Sequence, residues 1–230
     1  MVRFNVDALA NIAARAVKAQ RCVSFERVAE GRAYWPLTHD LVAHRCAVPA
    51  SRTFLLRFDN GSEAIAQIPF PIVGNTHLVT ASEVATMDFA RTVLGIPVPR
   101  VHAWSSESNE VGADFIIREK APGMRLDHVW SQATQFEDRE WLFSVSEHIN
   151  SVNQKFLNNP LSSYGIIFYK KDIGTLPHEP LWPDGRQDKA SEEFVIGPMM
   201  SEDFWRGERG TMNVDRGPCK WLVSALYEWL

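Results

Sequence analysis

The segment from Thr53 to Ile68 constrains the fold most strongly. Thr53 to Phe58 and Ala64 to Ile68 are two short β-prone runs. Between them, Asp59, Asn60 and Gly61 form a turn, because Asn and Gly reach the positive backbone angles that a tight hairpin demands. Pro69 and Pro71 then stop the second run, since proline cannot donate to a ladder and restrains the residue before it. An antiparallel pair with fixed ends is therefore expected, and the rest of the chain must pack around it.

Helical periodicity surrounds this hairpin. Asn5 is a plausible cap for a helix whose Leu9, Ile12, Ala13 and Ala16 share a face. Thr80 and Glu83 form a capping-box pattern, which places the start of the next helix at Thr80. Val84, Met87 and Leu94 supply part of its apolar face, and Gly95 closes it. Ile96 to Pro99 reads as extended, and His102 to Trp104 and Asp114 to Arg118 read as strands. Gly123 breaks the chain.

The second half differs. Trp141, Val145, Ile149, Val152 and Phe156 fall on one face of a helix of about five turns beginning near Asp138. Ser162 to Tyr169 is aromatic and β-prone, and residues 172–193 are polar. Gly217 and Pro218 precede a last amphipathic helix whose Trp221, Leu222, Ala225, Leu226, Trp229 and Leu230 form one stripe. A partner surface is expected over Trp221, Leu226 and Trp229, because an open aromatic stripe favours association. Residues 32–51 hold Pro36, Pro49, two histidines and a cysteine without a period, and read as an insertion.

Composition excludes several classes. The chain has 230 residues, 45% hydrophobic and 23% charged, so it can bury a core without disulfides or a structural metal. Its net charge of −4 is spread without basic runs, which argues against a nucleic-acid backbone as partner. Cys22, Cys46 and Cys219 are an odd set with no ligand spacing, and suggest reduced thiols rather than disulfides or zinc. His77, His102, His128 and His178 also lack metal spacing. No run of about 18 apolar residues is present, so no transmembrane segment is expected. Arg3, Arg15, Lys18 and Arg21 on an Ala-rich stretch resemble a mitochondrial presequence, though Asp7 and the lack of a Ser-rich tract do not.

Eight short motifs occur in an order that carries a family resemblance. They are FDNG (58–61), IPFP (68–71), TASEVATM (80–87), LGIPVPRV (94–101), EKAPG (119–123), SYGIIFYKKDI (163–173), FVIGP (194–198) and DRGP (215–218). Together they resemble fungal aminoglycoside-phosphotransferase-type proteins, and within them the altered inheritance of mitochondria protein nine group. The resemblance implies an α/β (α+β) protein-kinase-like fold. A small lobe over residues 1–122, interrupted by the insertion, would precede a partial helical lobe over residues 123–230.

It also implies a chemistry: transfer of the γ-phosphoryl group of ATP, with Mg²⁺, to a small-molecule hydroxyl that the sequence does not identify. By resemblance, Gln67 stands where a strand Lys or Arg would hold the phosphates, and Glu83 is the helix carboxylate that would pair with that residue. An uncharged amide at 67 should weaken nucleotide affinity, and Glu83 should lack its basic partner. The spacing of Glu83 from Thr80 fits a capping role equally well. Glu119 and Ala121 lie in the segment that resembles a nucleotide hinge; a plain exit from a strand reads the same way.

The catalytic loop HxDxxxxN and the metal-binding Asp are not found. Asp40 follows His39 directly, and His148 is followed by Ile149 and Asn150, so no catalytic or metal residue is assigned. In family order that loop would come after Leu230, and the chain reads as stopping short of it. An untransferring kinase relative is thus expected, with a pseudokinase or binding fragment as the alternative. The resemblance implies a mitochondrial location, with the cytoplasm as alternative.

Overall fold

The computed structural model describes residues 3–28, 51–70, 76–124, 126, 129–130, 139–200, 205 and 207–220. The opening helix α1 (Val6–Ala16) is capped as its sequence predicts, with Asn5 Oδ1 accepting from the Ala8 N–H at 3.1 Å. Asp7 in its first turn complements the helix dipole. Leu9, Ala13 and Ala14 are its buried stripe.

That stripe lies on a five-stranded antiparallel sheet. The strands are β1 (Cys22–Arg27), β2 (Ser51–Phe58), β3 (Glu63–Pro69), β4 (Val101–Ser105) and β5 (Phe115–Glu119), in the order β1-β2-β3-β5-β4. The β2–β3 hairpin closes over Gly61, at φ +79°, where a side chain would be strained. β3 ends at Pro69, and Pro69 pairs with Ser51 at the start of β2.

β1 was not legible in the sequence. It pairs with β2 from Cys22↔Phe58 to Arg27↔Phe54, with an irregularity between Cys22 and Ser24. Ser51, assigned above to an insertion, is the first residue of β2, and residues 32–50 lie outside the described residues.

Helix α2 (Thr76–Thr92) crosses the other face of the sheet. It starts four residues before the expected Thr80. Thr80 is fully buried inside the helix and its Oγ1 has no hydrogen-bond partner among the described residues, so the capping box with Glu83 is not formed. The sequence pattern was there, but helix φ/ψ had already begun upstream, and a Thr inside a helix has no free N3 amide to cap.

The sheet alternates between its two neighbours. Phe54, Leu56, Phe58, Ala64, Ala66, Ile68, Phe115 and Ile117 pack with α1. Ile116 packs with Val84, Ala85 and Phe89 of α2. By period-2 alternation, Leu55, Arg57, Glu63, Ile65, Gln67 and Arg118 therefore share the α2 side.

Helix α3 (Arg139–Leu157) has the expected five turns. Its expected apolar face is only half covered: Ile149 is 52% exposed and Phe156 45%. Lys155 near its end donates to the Gly95 carbonyl at 2.5 Å, which ties the helix to the loop after α2.

A second sheet follows, β6 (Ile166–Tyr169), β7 (Glu179–Pro180) and β8 (Phe194–Gly197), in the order β6-β8-β7, with the short helix α4 (Lys189–Glu193) leading into β8. Its Ile167, Tyr169, Leu181, Trp182, Phe194 and Ile196 join the core under α2, so one hydrophobic cluster runs across residue 122. Three of the quoted motifs meet here. A Cβ on Gly165 would lie 2.3 Å from the Gly197 carbonyl oxygen, and Tyr164 and Cys219 exchange backbone hydrogen bonds at 2.8 and 2.9 Å. The overall class is α+β, as expected. The stripe Trp221, Leu226 and Trp229 lies outside the described residues.

Candidate functional site

The two residues that the resemblance singled out, Gln67 and Glu83, come together. β3 carries Gln67 on the α2 side of the sheet, and α2 presents Glu83 toward it from sixteen residues further along the chain. Gln67 Nε2 donates to Glu83 Oε1 at 3.1 Å and to Oε2 at 3.3 Å. Glu83 thus has a partner on β3 after all, an amide in place of a cation. Both side chains are half-buried.

Burial pushes the Glu83 carboxyl above its ordinary value of 4.5. The Gln67 hydrogen bond and the charge of Arg118 oppose that push without cancelling it. A neutral amide stabilises a carboxylate less than an ammonium or guanidinium would, so desolvation wins.

Arg118 escaped the sequence reading. It sits on β5 opposite Ile65, two positions from Ile116, which faces Gln67. Only the register of β3 against β5 brings it to this face; its sole sequence signal was the strand period.

Glu119 and Ala121 do not join the pair. The Glu119 N–H donates to the Arg100 carbonyl at 2.8 Å, and its carboxylate accepts from the Arg100 N–H at 3.1 Å and lies 3.8 Å from Arg91. Both residues are exposed, Glu119 as the last residue of β5 and Ala121 beyond it.

An ordered row of charges lies further out on the α2 side. Arg57 bridges Glu26 at 2.5 Å and Glu63 at 3.1 Å, and Lys120 reaches Glu63 at 2.5 Å. The Lys120 hydrogen bond, followed by that of Arg57, lowers the Glu63 pKa. Being solvent-exposed, these pairs orient the strands more than they stabilise them.

Elsewhere, a cleft of about 480 Å³ between α2 and β4 is lined by Asp88, Arg91, Arg100, His102, Trp104 and Tyr169 among others, and by none of the four sequence-derived residues. Tyr169 donates to Asp88 Oδ2 there at 2.6 Å. Among the described residues no three His, Cys, Asp or Glu side chains are grouped to hold a metal ion, and no helix is long and apolar enough to cross a membrane.

The sequence has clear relatives. It is 41% identical over 171 residues to a subtelomeric hrmA-associated cluster protein of Aspergillus fumigatus, covering 74% of this chain and 31% of the relative. It is 28% identical over 162 residues to altered inheritance of mitochondria protein 9, mitochondrial, of Eremothecium gossypii, covering 67% and 26%. The protein of that name in Candida albicans is 29% identical over 164 residues, covering 68% and 26%. The chain therefore spans less than a third of the length of these curated relatives. No family model matches the sequence. No solved structure matches it either. The chain is a homologue of the Aspergillus fumigatus subtelomeric cluster protein and, at lower identity, of altered inheritance of mitochondria protein 9.

Proposed function

We propose that this chain is the nucleotide-facing part of an aminoglycoside-phosphotransferase-like, protein-kinase-like protein, that it holds ATP weakly, and that its own residues transfer no phosphoryl group. The observation that carries this reading is the Gln67–Glu83 bridge. It joins a middle strand to the helix inserted between β3 and β4, which is where the resemblance expects a basic residue and its carboxylate.

The chemistry follows from the residues. In a kinase-like site, a strand cation meets the α- and β-phosphates and a helix carboxylate holds that cation in place. Gln67 preserves the tether to Glu83 but brings no charge to the phosphates. Leu55 and Ile65, half-buried on the same face, offer an apolar wall for a base. ATP bound as its Mg²⁺ complex would supply the transferable phosphoryl group. The sequence contains no HxDxxxxN to orient an acceptor hydroxyl or hold the metal, so binding is separated from transfer. A mitochondrial location is part of the proposal, on the printed names of the relatives.

A thermal-shift titration with ATP and Mg²⁺ tests this reading, because a ligand that binds only the folded state stabilises it by about 2.7 kcal/mol at 100 times Kd. The expected result is a cooperative transition that rises with ATP–Mg²⁺ at millimolar concentration, with no ATP turnover. A cooperative transition indifferent to ATP would overturn the nucleotide reading and favour a binding protein without nucleotide.

A further inference from the structure

Gln67 leaves β3 without a charge at its central position, yet the face it belongs to is not neutral. Four of its charged residues, Glu26, Arg57, Glu63 and Lys120, pair among themselves, two of each sign. Glu83, on the helix α2 that covers this face, is engaged by an uncharged amide. Arg118 is in none of these pairs among the described residues.

The placement of Arg118 follows from two independent observations. Phe115 and Ile117 pack under α1 and Ile116 under α2, so strand alternation returns Arg118 to the α2 side. The ladder sets Ile116 opposite Gln67 and Ile65 opposite Arg118, which makes Arg118 and Gln67 diagonal neighbours on adjoining strands, roughly 7–8 Å apart at the backbone. That span is within reach of an arginine side chain. The half-buried Arg118 also acts electrostatically on Glu83.

We propose that Arg118 supplies from β5 the phosphate-binding charge that β3 lacks at Gln67. This inference rests on the nucleotide reading above and deepens it by naming the residue and the chemical class it meets, an oligophosphate. The guanidinium suits the task, since its planar donors match phosphate oxygens two at a time. Gln67 then serves Glu83 of α2, and the charge of Arg118 on β5 acts on the same carboxylate.

The test is a thermal-shift and calorimetric titration of the full chain with two probes, ATP–Mg²⁺ and inorganic tripolyphosphate. Wild type, Arg118→Met and Arg118→Gln are compared, the second variant keeping polarity if the first folds poorly. The expected result is that wild type binds both probes and that each variant, melting cooperatively, loses about tenfold or more in affinity for both, as expected for a charge-assisted contact. If wild type binds ATP–Mg²⁺ and the variants bind it as well or better, Arg118 is not the anchor, and this inference falls while the nucleotide reading stands. If wild type binds neither probe, both fall.

Discussion

The Tyr169 hydroxyl donates to Asp88 Oδ2 at 2.6 Å, fastening the first strand of the second sheet to the helix that covers the first. Burial, then the Asp88 hydrogen bond and charge, hold the phenol well above its ordinary value of 10. The two sheets are joined through α2 by apolar packing and by this polar clasp.

Tyr169→Phe removes the donor and leaves Asp88 facing an apolar ring. The expected loss is about 1–2 kcal/mol, the cost of a charged acceptor left without its partner. Denaturant titration should report a lower midpoint with an unchanged slope; an unchanged midpoint would mean that water replaces the hydroxyl at no cost.

Gly197→Ala should be worse tolerated than its size suggests. A Cβ there would sit 2.5 Å from Ile173 Cδ1 and 2.6 Å from Phe168 Cδ2, and Phe168 is fully buried. Overpacking of a filled core costs roughly 1–3 kcal/mol. Thermal unfolding of the variant is the check, and Gly185→Ala, where a Cβ meets nothing within 4 Å but φ is +70°, separates crowding from backbone strain.

Glu83→Gln should flatten the pH dependence of stability above the ordinary carboxyl value. Burial raises the folded pKa of Glu83 above 4.5, so the folded state binds the proton more tightly than the unfolded one. The contribution is therefore fully present below 4.5 and is lost as pH rises through the raised folded value. Relative to wild type, the variant should gain stability between pH 4 and pH 7 in parallel denaturation curves. A gap that is constant with pH would show that Glu83 titrates alike in both states.

Gln67→Lys should restore an ion pair. A charge-assisted hydrogen bond contributes about 1 kcal/mol more than a neutral one, which corresponds to roughly fivefold tighter ATP binding if the ammonium also reaches the phosphates. The Glu83 pKa, followed by carboxyl chemical shift, should move down at the same time. A lowered pKa without tighter ATP binding would place the pair away from the phosphates.

Three features were legible in the sequence because their causes are local. The Asn5 cap, the Asp59-Asn60-Gly61 turn and the end of β3 at Pro69 each follow from residues within a few positions of one another. The same locality misled at Thr80, where a capping pattern matched a helix that had already begun at Thr76. Helix α3 was recognised by its period, but half of its apolar face stays exposed, since periodicity says which residues share a side and not what covers them.

The resemblance named Gln67 and Glu83 as strand position and helix carboxylate, and the tertiary structure decided that the amide, sixteen residues away, bonds the carboxylate in place of a cation. Nothing near Arg118 says that it shares their face, which depends on how β5 registers against β3. Strand pairing closes loops across intervening chain, and a shift of one residue would turn every side chain to the other face. The residues alone therefore determined the hairpin and the existence of helices α1, α2 and α3, whereas the pairing of strands selected which side chains meet between the sheet and α2.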